Sequence, residues 1–189
     1  DFVVPTRPMI GVVELKSVAP HQIDHGGNMD FNSIQSNSTV HIKAQKPGGY
    51  LSLGDVHARM GDGELTGTGV EIDSTVTLKV DRSPGFPTSS PVVEKRQVVE
   101  STAEFLTSGR GANWEEALKI AWSEMVGLIA AHYDTTIEYA NLIVGTIGDA
   151  RPGYAAGMLN NRGSSSENYV TCQIAITKEL RRTGQPFKP

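Results

Sequence analysis

The sequence predicts an α+β fold: a mostly antiparallel β-sandwich or barrel-like core, two consecutive helices and a C-terminal strand. Three observations predict it. Short alternating apolar runs fill the first hundred positions, a 3.6-residue apolar period begins at Trp114, and a clean alternation returns from Tyr169 to Ile176. Strands gathered before helices, rather than alternating with them, argue against a doubly wound parallel sheet. Residues 1–100 read as the β-rich part that carries the polar motifs. Residues 101–189 read as a helical pair and terminal strand packed on it, the two forming one structural unit.

Met9-Ile-Gly-Val-Val-Glu-Leu15 is a short apolar strand. Ser38 to Ala44 alternates, with Val40, Ile42 and Ala44 on one face and His41 on the opposite, solvated one. Pro47-Gly-Gly49 is a turn, and Tyr50 to Leu53 opens the next strand. Glu71 to Val80 reads as a long strand through Ile72, Val76, Leu78 and Val80, and Val92 to Val99 as one more. Asn113 with Glu116 three residues on is an N-cap with a box-like partner. Ala117, Leu118, Ala121, Trp122, Met125, Leu128 and Ile129 then hold helical spacing. Thr135 or Thr136 caps a second helix through Ile137, Ala140, Leu142, Ile143 and Ile147. Asp149 to Gly163 reads as loop, and Val170, Cys172, Ile174 and Ile176 point inward from the last strand. The basic tail after Lys178 is surface.

The 189 residues are 38% hydrophobic and 20% charged, enough apolar material for a packed core. A net charge of -4 argues against nucleic acid as the main partner. No apolar run approaches the roughly 18 to 20 residues that cross a bilayer. The single cysteine, Cys172, excludes a disulfide framework and a Cys-rich zinc site, and its alternating setting makes it a small core residue. Both points fit a cytoplasmic location. The chain begins with Asp1 rather than Met and shows no signal-peptide pattern, so an upstream tag, initiator or segment is expected to be missing.

Two polar knots carry the chemistry. His25-Gly-Gly-Asn-Met-Asp30 offers an imidazole, an amide and a carboxylate on a backbone free to adopt positive φ. Ser52-Leu-Gly-Asp-Val-His-Ala-Arg-Met-Gly-Asp-Gly-Glu64 sets Asp55, His57, Asp62 and Glu64 within ten residues among three glycines. In extended backbone, residues two apart share a face, so Asp55 pairs with His57 and Asp62 with Glu64. Imidazole with carboxylates is the donor set of a divalent-metal or acid/base site. The plain alternative is an acidic hairpin held by glycines, which crowded carboxylates disfavour once buried without a cation. Thr66-Gly-Thr-Gly-Val70 lacks the third glycine of a dinucleotide fingerprint and reads as strand whose glycines admit close packing. Glu71 either completes the site or faces solvent. His132 complements the end of the long helix, His21 could line the mouth of the site, and Ser164, Ser165 and Ser166 lack a nucleophile-elbow context.

His25-Gly-Gly-Asn-Met-Asp30, Ser52-Leu-Gly-Asp-Val-His-Ala58 and Gly61-Asp-Gly-Glu-Leu-Thr-Gly67 resemble, in order and separation, blocks of the acetamidase/formamidase family. Glu115-Glu-Ala-Leu-Lys-Ile-Ala121 and Ile147-Gly-Asp-Ala-Arg151 resemble its later part, and the likeness runs over roughly residues 6 to 180. The resemblance implies hydrolysis of the C–N bond of a small amide such as formamide or acetamide, with release of ammonia. It implies a β-rich fold, a divalent metal and oligomers. By chemistry, His25, Asp30, Asp55 and His57 are the expected metal ligands, with zinc first and calcium or magnesium as alternatives. Glu64, Asp62 and Asn28 are the expected catalytic group, Glu64 moving protons and Asn28 holding an oxyanion. Family members are longer and this chain resembles their second half. A companion N-terminal fragment, cleavage before Asp1 or a reduced relative would each account for that. The loop from Ala150 to Glu167 departs from the family's stretch and bears on substrate size. Alternatives are a hydrolase of a cyclic or urea-like amide and a non-catalytic subunit or binding module around a structural metal.

Overall fold

The computed structural model of the protein describes residues 2–16, 23–83, 85–96, 104–155, 169–178 and 180. Two antiparallel sheets and two helices make three layers. The first sheet contains β1 (Met9–Glu14), β2 (Gly26–Asn28), β4 (Ser52–Arg59) and β5 (Val70–Glu71) in the order β2-β1-β4-β5. The second contains β3 (Thr39–His41), β6 (Val92–Lys95), β7 (Glu104–Gly111), β8 (Asp149–Pro152) and β9 (Val170–Thr177) in the order β3-β6-β7-β9-β8. The sheets face each other without closing into a barrel. Met29, Phe31 and Ile34, with Ile10 and Val13, fill the space between them against Val93, Leu106 and Ala175. The second sheet draws strands from both sides of residue 100.

The helices cover the outer face of the second sheet. α1 (Trp114–Tyr133) begins at Asn113, whose side chain accepts from Glu116 N–H, and Glu116 Oε2 accepts from Ala112 N–H at 2.9 Å, one residue earlier than a capping box reaches. Ala117, Ala121 and Met125 pack on Cys172, Ile174 and Ile176, the inward face expected of β9. β9 is buried on its other face too, because Thr171, Gln173 and Ala175 look into the inter-sheet space. α2 (Ile137–Ile147) is capped by Thr136 and buries Ala140 and Val144, leaving Ile137 and Leu142 in solvent.

Several expectations change. β7 was not foreseen, yet it lies at the centre of the second sheet and pairs with β9 over its whole length. Its glycines belong to helix docking: a methyl on Gly109 would run into Ala117 O and stand 2.6 Å from Ala121 N. Asp149–Pro152, expected as loop, is edge strand β8, where Pro152 is tolerated. Of the strand expected over 71–80, only Val70 and Glu71 pair, and 72–80 run on mostly exposed. The strand expected from Ser38 to Ala44 is limited to Thr39–His41. His41 is no solvated surface residue: its Nε2 lies 2.7 Å from Glu94 Oε1 and its ring packs edge-on against Phe86. His21, Ser164, Ser165, Ser166, most of the 150–167 loop and most of the basic tail lie outside the described residues.

Candidate active site

The two knots meet. Asp30, His57 and Glu64 each offer a ligand atom within 4.8 Å of the others, and all three side chains are buried, at 1%, 0% and 7% exposure. Asp55, His57 and Glu71 form a second group of the same span, more open to solvent. His57 joins both. Its Nε2 lies 3.1 Å from Asp55 Oδ1 and 3.1 Å from Glu71 Oε1, while Nδ1 sits 3.3 Å from Met60 Sδ. One N–H cannot serve two carboxylates fully, whereas a cation can take all three ligand atoms.

Three devices produce this convergence. The first is main-chain bonding: Tyr154 N–H donates to Met29 O and Ala155 N–H to Gly63 O, so one segment holds the approaches to both Asp30 and Glu64. Thr171 Oγ1 donates to Met29 O at 2.7 Å and adds to the grip. The second is close approach by glycine. Gly11 lies in β1 between the pairs Ile10↔Val56 and Val12↔Gly54, opposite the Asp55 region. A methyl there would stand 2.5 Å from Asp30 Oδ1 and nearer still to Asp55 Oδ2. Gly69 does the same for the imidazole, since a methyl would lie 2.6 Å from His57 Cγ and Nδ1. The third is backbone strain. Six described non-glycine residues have positive φ, and three are Asp30 at 49°, Asp55 at 57° and Glu64 at 44°. Such conformations cost about 1–3 kcal/mol each and persist where the surroundings impose them, often at functional sites.

Burial pushes the Glu64 carboxyl above its ordinary range. The His57 imidazole opposes this, while Asp55 and Glu71 add to it. A buried carboxyl that holds its proton more tightly suits a group that takes and returns protons.

Asp62 and His25 belong to neither of these two groups. Asp62 is exposed and accepts a 2.6 Å bond from Asn32 Nδ2. His25 is buried with Nδ1 3.4 Å from Asp24 Oδ1, and Asn28 receives the Tyr169 hydroxyl on its main-chain oxygen. Glu71, balanced between two readings, joins the second group. Gly11 drew no attention in the sequence, although a glycine inside an apolar strand is the mark of a close approach.

The donor set fits a divalent cation. Buried carboxylates and one imidazole from two distant segments converge, with neighbouring acids that repel unless something positive lies among them.

Comparison with known proteins bears on this geometry. A formamidase of Methylophilus methylotrophus is 30% identical over 88 residues, 44% of this chain and 22% of that protein. The crystal structure of an acetamidase from Bacillus halodurans superposes with a TM-score of 0.78 at 28% identity, covering 92% of this chain and 55% of that one. An acetamidase from Yersinia enterocolitica gives a TM-score of 0.78 at 28% identity, over 93% of this chain and 50% of that one. The chain thus spans about half the length of these solved relatives. Residues 8–144 match the sequence profile of the Acetamidase/Formamidase family, a stretch that includes both knots and all of α1. On that match, and on the shared fold, the protein is a member of the acetamidase/formamidase family.

Proposed function

We propose that this chain carries the hydrolytic centre of an amidase that cleaves the C–N bond of a small linear amide, of formamide or acetamide size, to ammonia and a carboxylic acid. The observation that carries the reading is the convergence of buried Asp30, His57 and Glu64 from two distant segments. The acetamidases and the formamidase it resembles supply the substrate class.

Asp30 and His57, joined by Asp55 on the open side, would hold a divalent cation, zinc first, which when bound supplies a water acidified toward neutral pH. Glu64 takes a proton from the attacking water. The same carboxyl returns it to the departing nitrogen, since an amide nitrogen leaves only once protonated. Glu71, positioned by the Thr68 hydroxyl at 3.2 Å, keeps the His57 ring in place. Asn28 would serve as an oxyanion donor and His25 as a further ligand. Asp62 would act from the rim. In this reading the protein is a cytoplasmic homo-oligomer, and a companion polypeptide would supply the remaining half of the relatives' length.

The test is Glu64→Gln in the metal-loaded protein, assayed for ammonia release from formamide and acetamide, with bound metal measured alongside. A loss of about 100-fold or more with the metal retained is expected. Hydrolysis near the wild-type rate removes Glu64 from its role. A metal-loaded wild type that releases no ammonia from any small amide favours a structural ion.

A further inference from the structure

One hydroxyl joins the two arms of the site. Asp30 follows Met29 in the first arm. Glu64 follows Gly63 in the second, and Gly63 bridges to Tyr154 and accepts from Ala155 N–H at 2.9 Å. Thr171, fully buried on β9, stands between them. Its Oγ1 donates to Met29 O at 2.7 Å and accepts from Tyr154 N–H at 2.6 Å. The direct link from Tyr154 N–H to Met29 O is longer, at 3.2 Å. The hydroxyl is therefore the tighter route between the Asp30 arm and the Glu64 arm. It serves both because it has one proton to give and lone pairs to receive.

The surroundings are shaped around this hydroxyl. A methyl on Gly153 would collide with Thr171 Oγ1 and with the Phe31 ring, so only a glycine lets the chain before Tyr154 come this close. Two residues along the same inward face of β9, Gln173 Oε1 accepts from Ser33 Oγ at 2.8 Å. Thr171 and Gln173 thus grip the loop on either side of Asp30, whose φ of 49° is a conformation that its surroundings must impose. Gln173 reaches the Asp30 arm alone, whereas Thr171 holds both arms.

We propose that Thr171 is a positioning residue of the hydrolytic centre, its hydroxyl setting the separation of Asp30 from Glu64 and with it the fit of a divalent cation. The proposal rests on the metal-dependent amidase reading. Metal–ligand distances tolerate only about 0.2 Å, so a small slip between the arms reaches the cation. Valine in place of Thr171 keeps the shape but leaves Met29 O and Tyr154 N–H with only their longer mutual bond. Thr107 supplies the comparison. Its Oγ1 donates to Ala121 O at 2.7 Å and it is equally buried, but this bond ties β7 to α1 and touches neither arm.

The experiment compares zinc affinity, by chelator competition, and melting temperature in wild type, Thr171→Val, Thr171→Ser and Thr107→Val. Thr171→Val is expected to weaken zinc binding about 10- to 100-fold, the range for a ligand that loses its support. Thr171→Ser keeps the hydroxyl and is expected to recover most of that affinity. Thr107→Val is expected to melt earlier and to bind zinc as wild type does. Zinc held as tightly by Thr171→Val as by wild type, no recovery in Thr171→Ser, or an equal loss in Thr107→Val overturns the proposal. If Thr171→Val does not fold, amide exchange in the wild type decides. Zinc is then expected to slow exchange of Tyr154 and Ala155 N–H more than that of Ala140 N–H in α2, and equal slowing overturns the proposal. No turnover is needed, so unchanged zinc affinity in Thr171→Val leaves the amidase reading standing. A wild type that takes up no zinc removes the metal from that reading and this proposal with it.

Discussion

Gly11→Ala tests whether the carboxylates of Asp30 and Asp55 act as one site. The added methyl would lie 2.5 Å from Asp30 Oδ1, about 0.9 Å inside the 3.4 Å at which ordinary van der Waals contact begins, and would crowd Asp55 Oδ2 more. Both oxygens must retreat by close to 1 Å. Metal–ligand bonds tolerate about 0.2 Å, so the displacement is several times what a bound cation allows. Disturbing a ligand's support alone costs about 10- to 100-fold in metal affinity, and moving two ligands places this variant at the upper end or beyond. Competition with a chromogenic zinc chelator measures the affinity directly. Melting with and without zinc checks that the fold persists, because metal stabilisation scales with the logarithm of occupancy. A folded Gly11→Ala protein that binds zinc within twofold of wild type would show that Asp30 and Asp55 do not share a cation.

Three further outcomes follow from the rest of the structure. Gly109→Ala forces a methyl against the main chain of α1 and is expected to destabilise by about 1–3 kcal/mol, seen as a lower melting temperature; an unchanged melting point would mean that α1 docks less closely than described. The bond from His41, with Lys178 nearby, brings the Glu94 carboxyl down to about 2, despite the opposing effect of burial. A lowered carboxyl stabilises the fold above its unfolded value of 4.5 and loses that effect as pH falls toward 2. Wild type should therefore lose on the order of 2 kcal/mol across this window that Glu94→Gln does not lose, and parallel acid-unfolding curves would refute the pairing. Burial pushes the Cys172 thiol up to about 12, so a disulfide reagent at pH 8 should label the native protein negligibly and the unfolded protein fully; rapid native labelling would place Cys172 outside the core.

What the sequence disclosed was local. β9 and α1 were readable because alternation and a capped 3.6-residue period are written in neighbouring residues. β7 was not, since Phe105-Leu-Thr-Ser-Gly-Arg-Gly111 lacks a clean alternation and its glycines answer to α1 in space. The opposite error fell on 72–80, where a good alternation meets no partner strand among the described residues. The site divides likewise. Asp30, Asp55, His57 and Glu64 stood out by density around glycines, but their convergence depends on Tyr154 and Ala155, nearly a hundred residues from Glu64. His25 and Asn28 share a motif with Asp30, yet the turn through Gly26 and Gly27 leaves them beside Arg110 and Tyr169. Gly11 stayed invisible because its role is the absence of a side chain.

The run from Ile72 to Val80 has its own consequence for handling the protein. After Ile72 donates to Val56 O, residues 73–80 form no main-chain bonds with other described residues, and Val80 is 76% exposed. A β-prone ribbon with open N–H and C=O rows invites zippering onto whatever strand it meets. Lys79 and Asp81, side by side at its end, act as charged stoppers against indiscriminate stacking. Solubility at high concentration should accordingly hinge on that short ribbon more than on the buried group of Asp30, His57 and Glu64.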